Sequence, residues 1–595
     1  QLTGPAQSCI IPTRRGARGS QPAPGPAHSA LLSSVVSSMT ITGARFIAET
    51  LKGYGVTHVF YVDAILRQTM VELEELGIRR VITHSEKAAA YMADGYARIS
   101  YRPGVCMAQS VGAANLAAGL QDAYLGHSPV IALTGKKPPL FQRRNAYQEL
   151  DHGPLFAAVT KYSADVVTPA QLPYQLRQAF REATSGAPGP AHLDLLGHTG
   201  RPLEAADVPP PVVVDEPFTR YPAYRPAPDD ASVERAARVI ATARRPVIVA
   251  GGGVRLSDAG PAVVALAEQL SIPVATSLNA KGTIPENHPL HIGVVGSYSA
   301  RCANQVVSEA DLVIYIGSHT GDQVTHNWTI PPLGTAVVQI DIDPTEIGRS
   351  YAGAIGVVGD AQVAVKRLAA ALGATSVEAG WLERARARVE AWRREIEPLR
   401  RSDEVPIRPE RLCKELSDAL PEDAVLVADT GYASIWTATM LQLNHPGQTY
   451  LRAAGSLGWA FPAALGVKCA VPDRPVVCFT GDGGFWYHLS ELETARRHGI
   501  RTVTVINNNG GFAQGIDDIH AVYGGRPGRP EELYRFEPVS FARIAQEMGC
   551  DGVRVERPDE IAGAIRQALE SELPAVVEVV TGLHYRAPQP WAPPA

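Results

Sequence analysis

The sequence predicts an α/β protein made of three doubly wound parallel-sheet domains, and three observations predict it. Residues 475–480, Pro-Val-Val-Cys-Phe-Thr, form a β-branched apolar run of strand length. Gly481-Asp482-Gly483-Gly484 then makes a turn, residues Phe485 to His498 read as helical, and a second strand ends in Ile506-Asn507-Asn508-Asn509-Gly510-Gly511. That is one βαβ unit. The same alternation of apolar runs and helical periods fills residues 42–198, which calls for a parallel sheet covered by helices on both faces. A connector with Pro209-Pro210-Pro211, Pro222, Pro226 and Pro228 leads to another α/β block whose strands end in glycine or aspartate.

Composition narrows the function classes. The chain has 595 residues, 45% of them hydrophobic, and a formal net charge of −5. No long basic block offers a surface to nucleic acid or to an anionic membrane, and no run of eighteen apolar residues exists to span one. The expected partners are small molecules. The 7 cysteines are scattered, without Cys-x-x-Cys pairs, which argues against a disulfide framework or a zinc site and fits a reducing, cytoplasmic compartment.

In chain order, residues 1–38 are rich in Pro, Gly, Ser and Ala, contain Arg14, Arg15 and Arg18, and lack acidic residues, so they are expected to be disordered. Two readings of them stand: an organelle transit peptide, or residues added upstream of a native start at Met39. The first block then gives a helix from Gly43, a strand from His58, a helix from Leu66, a strand from Arg80 and a helix from Lys87. Strands from Gly104, Ser128 and Ala191 follow. In the second block, strands start at Pro246, Pro273, Leu312 and Ala336. Gly251-Gly252-Gly253, Asp341 and Asp360 lie at or beyond strand ends, where a Rossmann-like sheet holds an adenine nucleotide, although three glycines also make an ordinary tight turn. A polar helical segment (377–401) leads to the third block.

The chemistry centres on Asp482. A glycine-rich turn opening into a helix presents backbone N–H groups to an anion such as a diphosphate. The βαβ connection returns Asn509 to the same sheet edge as Asp482. Carboxylate, amide and backbone oxygens together suit Mg²⁺. Gly-Asp-Gly alone is a common turn, but Gly-Asp-Gly followed by Asn-Asn at the next strand end resembles the thiamine diphosphate (ThDP) fingerprint. The resemblance implies Mg²⁺ held by Asp482, Asn509 and the carbonyl of Gly511, with Gly481, Gly483 and Gly484 against the diphosphate.

A second segment, Thr83-His84-Ser85-Glu86 leading into an Ala-rich helix and Gly95-Tyr96-Ala97-Arg98, is similar to the family segment whose Glu contacts the aminopyrimidine ring of ThDP. Glu86 falls on that Glu; read alone, it is a helix N-terminal charge. Gly455-Ser456-Leu457-Gly458 resembles the segment beneath the bent cofactor, with the Gly455 carbonyl on the 4′-amino group and Leu457 between the rings. Leu457 also reads as core packing. Asp429-Thr430-Gly431 would touch the diphosphate, and Tyr147-Gln148-Glu149 looks like the Phe-Gln-Glu loop of acetolactate synthases, which brings Gln148 near the thiazolium. Gln109 takes the place of a proton-shuttling His in benzoylformate decarboxylases. These likenesses span about residues 40–580 and imply a disordered extension at 1–38, a pyrimidine-binding domain at 39–205, a central domain at 231–373 and a diphosphate-binding domain at 405–585.

The sequence is thus identified as a member of the ThDP-dependent enzyme superfamily, resembling the acetolactate synthase large (catalytic) subunit. The resemblance implies decarboxylation of a pyruvate-like 2-oxo acid and transfer of the remaining acyl unit to an acceptor. It also implies a homodimer or homotetramer in which Glu86 of one subunit faces Asp482 of its partner, and FAD or an ADP-like nucleotide in the central domain at Gly251, Gly252, Asp341 and Asp360. Departures from the group are Tyr61-Val62-Asp63-Ala64 in place of Pro-Gly-Gly, and His319 in place of an Arg. A 2-oxo acid decarboxylase, a lyase for 2-hydroxyacyl or diketone substrates, and an inactive ThDP-binding scaffold are the alternatives.

Overall fold

The computed structural model describes residues 40–593, so the expectations for residues 1–38 and for Met39 lie outside the described residues. After β1 (Ile41–Thr42), the first large sheet is built from β2 (His58–Tyr61), β3 (Arg79–Ile82), β4 (Gly104–Ala108), β5 (Val130–Lys136), β6 (Tyr162–Val166) and β7 (Ala191–Leu196). β8 (Asp207–Val208) returns to pair antiparallel with β1. The central sheet uses β9 (Pro246–Ala250), β10 (Val274–Thr276), β11 (His291–Val294), β12 (Leu312–Ile316), β13 (Ala336–Asp341) and β14 (Ile355–Val358). The third uses β15 (Val425–Ala428), β16 (Thr449–Arg452), β17 (Val476–Gly481), β18 (Val503–Asn508), β19 (Asp551–Val555) and β20 (Ala575–Val580).

Each large sheet has six strands, all parallel. The first runs β3-β2-β4-β5-β7-β6 and the third β16-β15-β17-β18-β20-β19, so with strands numbered inside each sheet both read 2-1-3-4-6-5. The similar element patterns expected of these blocks are one topology. The central sheet, β11-β10-β9-β12-β13-β14, reads 3-2-1-4-5-6, the doubly wound order whose reversal lies between β9 and β12.

Interior strands such as β4 and β15 are buried at every residue, because helices cover both faces. Six strands of the large sheets are not identified from sequence. Five of them (β6, β11, β14, β16 and β19) are edge strands, and β6 alternates exposed and half-buried residues instead of forming an apolar run. The sixth, β20, carries Glu578 inside its apolar run; that carboxylate is buried and accepts from Asn508, Ser540 and the Ala542 N–H. The helical run expected from Phe485 to His498 is interrupted. It splits into Asp482–Phe485, a 3₁₀ turn at Trp486–His488 and helix Glu491–His498. Phe485 and Trp486, adjacent in sequence, both pack on Phe541, which tightens the turn between them.

The first and third domains meet through helices Glu86–Ser100 and Ala460–Ala470, each of which follows the second strand of its sheet. Residues 88–99 are buried all round. The helices touch backbone to backbone: a Cβ at Gly95 would lie 2.2 Å from the Ala463 carbonyl oxygen, and one at Gly466 would lie 1.9 Å from that of Met92. Beneath this crossing, Arg98 makes a bidentate pair with Asp94 at 2.7 Å, donates to the Arg452 carbonyl at 2.8 Å and to the Asp122 carbonyl at 2.9 Å. Trp459 Nε1 donates to Asp94 at 2.8 Å, and Arg452 reaches Gln323 of the central domain at 2.8 Å. Among the described residues, no helix is long and apolar enough to cross a membrane.

The crossing predicts opposite outcomes for two helical glycines. Gly466→Ala should lower stability by roughly 1–3 kcal/mol, since the helices must separate. Gly563→Ala, in helix Ile561–Glu570 with no heavy atom within 4 Å of the new Cβ, should be neutral or stabilise by about 0.4–1 kcal/mol. Denaturant midpoints of the two variants check both.

Candidate active site

Glu86 is the first residue of its helix; Ser85 Oγ caps the turn by accepting from the Ala88 N–H at 3.1 Å. The Glu86 carboxylate accepts from Asn115 Nδ2 at 3.1 Å and lies over Gly112, where a Cβ would come within 2.4 Å of Oε1. Gly112 is therefore the space in which Glu86 sits. Three residues earlier, β4 leads into Gln109, whose side-chain Oε1 is buried without a hydrogen-bond partner. Ser110 Oγ donates to the Gln148 carbonyl, and the Gln148 Oε1 is a second buried oxygen without a partner. Gln148 has φ +58°, as Asn145 and Arg143 have φ +55° and +59°, so this loop holds three non-glycine residues in the left-handed region. Strained backbone and orphaned carbonyls on one rim are the marks of a ligand-facing edge. Tyr147 is exposed.

In the third domain Asp482 opens the turn after β17 and is nearly buried. Burial lifts its pKa to about 7, against the pull of the N–H groups of Gly483, Gly511 and Gly510. Asn509 Oδ1 accepts from the Gly511 N–H at 3.1 Å, and a cavity of about 180 Å³ opens beside Asp482, Asn509 and Gly510. Added Cβ atoms at Gly481 and Gly455 would meet nothing within 4 Å, so both face open space. Among the described residues no group of three His, Cys, Asp or Glu side chains could hold a metal ion. A cation at Asp482 would draw on the Asn509 amide, the Gly511 carbonyl and ligand oxygens, a hard-oxygen set that fits Mg²⁺. A nearly buried carboxyl with a raised pKa fits a divalent counter-charge.

Asp429 has a different place from the one expected. It is 1% exposed, and its carboxylate accepts from the N–H groups of Thr430 (2.8 Å) and Gly458 (3.0 Å) and from Thr480 Oγ1 (3.1 Å). Burial lifts its pKa to about 6 despite these donors. It ties the Gly455–Gly458 turn to the end of β17. Gly484 lies against it, where a Cβ would be 2.7 Å from Oδ2, and Gly483 lies against the Phe512 ring. Thr430 and Gly431 are half-buried at the start of helix Tyr432–Thr439, and Gly431 has φ +69°. Leu457 is half-buried between Ser456 and Gly458.

The central crevice, about 240 Å³, lies at the β9/β12 reversal and is lined by Gly252, Ser318, His319, Asp341 and Asp360, together with Arg98 and His127 of the first domain and Ala454 of the third. Gly251 is not on its wall. It donates to the Ile316 carbonyl, and a Cβ there would be 2.1 Å from the Gly317 oxygen, so this glycine serves strand-end packing. Asp360 is occupied as well: it caps a helix at the Val363 N–H and accepts from Ser257 and Arg225. Asp341, with its pKa raised by burial, keeps more capacity for a ligand. His319 stacks edge-on to His127 with ring centroids 4.7 Å apart. Asp63 stands on the surface, paired with Arg67 at 2.7 Å.

Sequence reasoning missed Asp122. From helix Gly112–Leu125 it accepts from the N–H groups of Ala454 and Ser456 (2.9 Å), and so fixes the Gly455 turn from the other domain. Nothing local in the sequence marks it. Asp94 and Arg98 carried a signal, their i,i+4 spacing in the recognised segment.

Three family models match the chain: the thiamine pyrophosphate enzyme N-terminal TPP binding domain over residues 41–155, the central domain over 233–368 and the C-terminal TPP binding domain over 429–579. Similar curated relatives include a probable acetolactate synthase large subunit of Methanocaldococcus jannaschii, 35% identical over 90% of this chain and 91% of the relative. The acetolactate synthase large subunit of Corynebacterium glutamicum is 31% identical over 94% and 90%. That of Lactococcus lactis is 29% identical over 91% and 92%. The chain belongs to the thiamine pyrophosphate enzyme family, as a ThDP-dependent enzyme similar to acetolactate synthase large subunits.

Proposed function

We propose that the protein uses ThDP and Mg²⁺ to decarboxylate a pyruvate-like 2-oxo acid and to join the remaining acyl unit to a second carbonyl, in the manner its relatives' names describe. Residues 39–205, 231–373 and 405–585 serve as the pyrimidine-binding, central and diphosphate-binding domains of a cytoplasmic enzyme. The carrying observation is the rim on which Glu86, Gln109, Ser110 and Gln148 meet, with two side-chain carbonyls left without partners. When bound, ThDP supplies the carbon nucleophile and the electron sink that the amino-acid side chains lack. Glu86, steadied by Asn115, holds a proton at the pyrimidine nitrogen. The Gly455 carbonyl would accept from the cofactor's amino group and Leu457 would pack against its rings. Gln109 and Gln148 would orient the substrate, and Asp482, Asn509 and the Gly511 carbonyl would hold the metal.

Among the described residues, no hydrogen bond joins Glu86 to the third domain, which supports a site completed by a second copy of the chain. Two homodimer sites, each with Glu86 from one subunit and Asp482 from the other, give a complementation test. Glu86→Gln and Asp482→Ala should each be inactive, the first retaining ThDP and the second losing it. Co-refolded as a mixture, they should regain up to about a quarter of wild-type turnover of pyruvate, since half the dimers carry one intact site. Chromatography of the product with and without an aldehyde acceptor separates carboligation from plain decarboxylation. Absence of any recovery would remove the shared-site reading.

Asp482 also sets a pH dependence. With its pKa near 7, the carboxyl is protonated as pH falls below neutrality, and the proton competes with the cation. Mg²⁺ affinity in the presence of ThDP should be flat above pH 7 and fall by up to about tenfold per unit below it. Calorimetric titrations at pH 8, 7 and 6 measure this.

The crevice at the β9/β12 reversal, with Asp341 at a strand end, supports FAD or an ADP-like nucleotide in the central domain. The purified protein should show a flavin band near ~450 nm. A colourless, active preparation would leave only the adenine nucleotide.

A further inference from the structure

A second cavity, of about 250 Å³, lies away from the candidate active site where helix Trp381–Arg400 meets the central and third domains. Asn287 of the central domain, Arg393, Glu397 and Arg400 of the helix, and Gln442 and Asn444 of the third domain line it. Arg400 is 8% exposed, and its Nε is buried without a partner. Its ion-pair contact is a loose one, Nη1 to Glu397 at 3.6 Å, and Glu397 is already bonded to Arg401. A guanidinium carries five donors and stays charged at any physiological pH, so burying it without hydrogen bonds is strongly unfavourable unless the cavity's contents supply acceptors.

The surrounding charges do not supply them. Arg393 reaches Glu390 at 3.4 Å and donates to the Glu286 carbonyl at 3.2 Å, while the Glu286 carboxylate is paired with buried Lys281. The Glu286 carboxylate is thus taken by Lys281, and Glu397, the carboxylate that Arg400 reaches, is shared with Arg401. The side-chain amides of Asn287, Gln442 and Asn444, which line the same cavity, make no hydrogen bond to protein among the described residues.

We infer that this cavity binds a small oxyanion, a carboxylate or a phosphate, with Arg400 as its main counter-charge and the three amides as orienting donors. This inference does not depend on the reading of the active site. Such a ligand would join all three walls at the place where the Glu286 N–H already donates to the Leu443 carbonyl at 2.9 Å and Lys281 to that of Leu441 at 2.9 Å. Its effect is to lock the central domain against the third.

Thermal unfolding of the ThDP- and Mg²⁺-saturated protein in sodium phosphate, sodium malonate and sodium chloride at equal ionic strength tests it. Phosphate or malonate should give a saturable rise in midpoint of about 2 °C or more that chloride does not, and the more effective of the two identifies the ligand class. Arg400→Met should abolish the rise. Asn287→Asp, on the exposed wall, keeps the fold if Arg400→Met does not; its carboxylate should cancel the response and raise the midpoint in the absence of oxyanion. A wild-type midpoint that follows ionic strength alone, or a rise that survives Asn287→Asp, would overturn the assignment.

Discussion

The backbone-to-backbone crossing of helices Glu86–Ser100 and Ala460–Ala470 is the constraint on which the rest of the molecule depends. Gly95 and Gly466 let the helices approach so closely that the carbonyls of Ala463 and Met92 occupy the space of absent side chains. Each helix begins at a segment of the candidate site: Glu86 is the first residue of one, and the Gly455–Gly458 turn closely precedes the other. Fixing the crossing therefore fixes both segments relative to their sheets. Arg98 locks the arrangement, because an Arg that is 5% exposed, with its charge met by Asp94 and its other donors by backbone carbonyls, tolerates no sliding of the elements around it. The guanidinium also lies over the Trp459 ring at 4.6 Å, and Trp459 is itself bonded to Asp94, which closes the cycle.

Three carboxylates near the site show how surroundings divide one functional group into different tasks. Asp122 and Asp429 are both buried, and both spend their oxygens on backbone N–H groups of the Gly455–Gly458 turn, one from each side of the domain boundary. They shape the turn. Asp482 is buried to a similar degree, and the N–H groups that approach it come from the glycine turns themselves. Burial raises the pKa of all three, and what sets Asp482 apart is the cavity it lines beside Asn509 and Gly510, where a cation could reach it.

The sequence made legible whatever depends on neighbours in the chain. Gly481, Asp482 and Asn509 belong to one βαβ unit, so strand length and turn chemistry place them together without knowledge of the rest of the fold. The segment carrying Glu86 was legible as a strand leading into an Ala-rich helix, and the Asp94–Arg98 pair had a signal in its i,i+4 spacing that was not read. Asp122 was not legible, because the N–H it accepts from, that of Ala454, is 332 residues away. The inward turn of Asp429 escaped for the same reason: its acceptor role is set by Gly458 and Thr480, on other loops. β6, β14 and β19 were lost because exposed and half-buried positions dilute the apolar pattern, β11 and β16 because they are short and carry His291, Gly293, Thr449 and Arg452, and β20 because Glu578 interrupts it, a charge whose partners Asn508, Ser540 and Ala542 are distant in sequence. Gly251 shows that a glycine suited to ligand approach can also be required by a neighbouring strand end, here that of Gly317.

The first and third sheets share one strand order. Their contact uses equivalent helices, each following the second strand, so the two domains of one chain are related much as two copies of one protein are across an isologous interface. Glu86 follows the second strand of its sheet and Asp482 the third strand of the other. The central domain stands outside this symmetry, since its order of 3-2-1-4-5-6 reverses at β9/β12 and opens a crevice instead of a pairing surface. That crevice still reaches Arg98 and Ala454. Whatever fills it therefore bears on the residue that locks the helix crossing and on the one that precedes Gly455, which couples the third sheet order to the two that build the site.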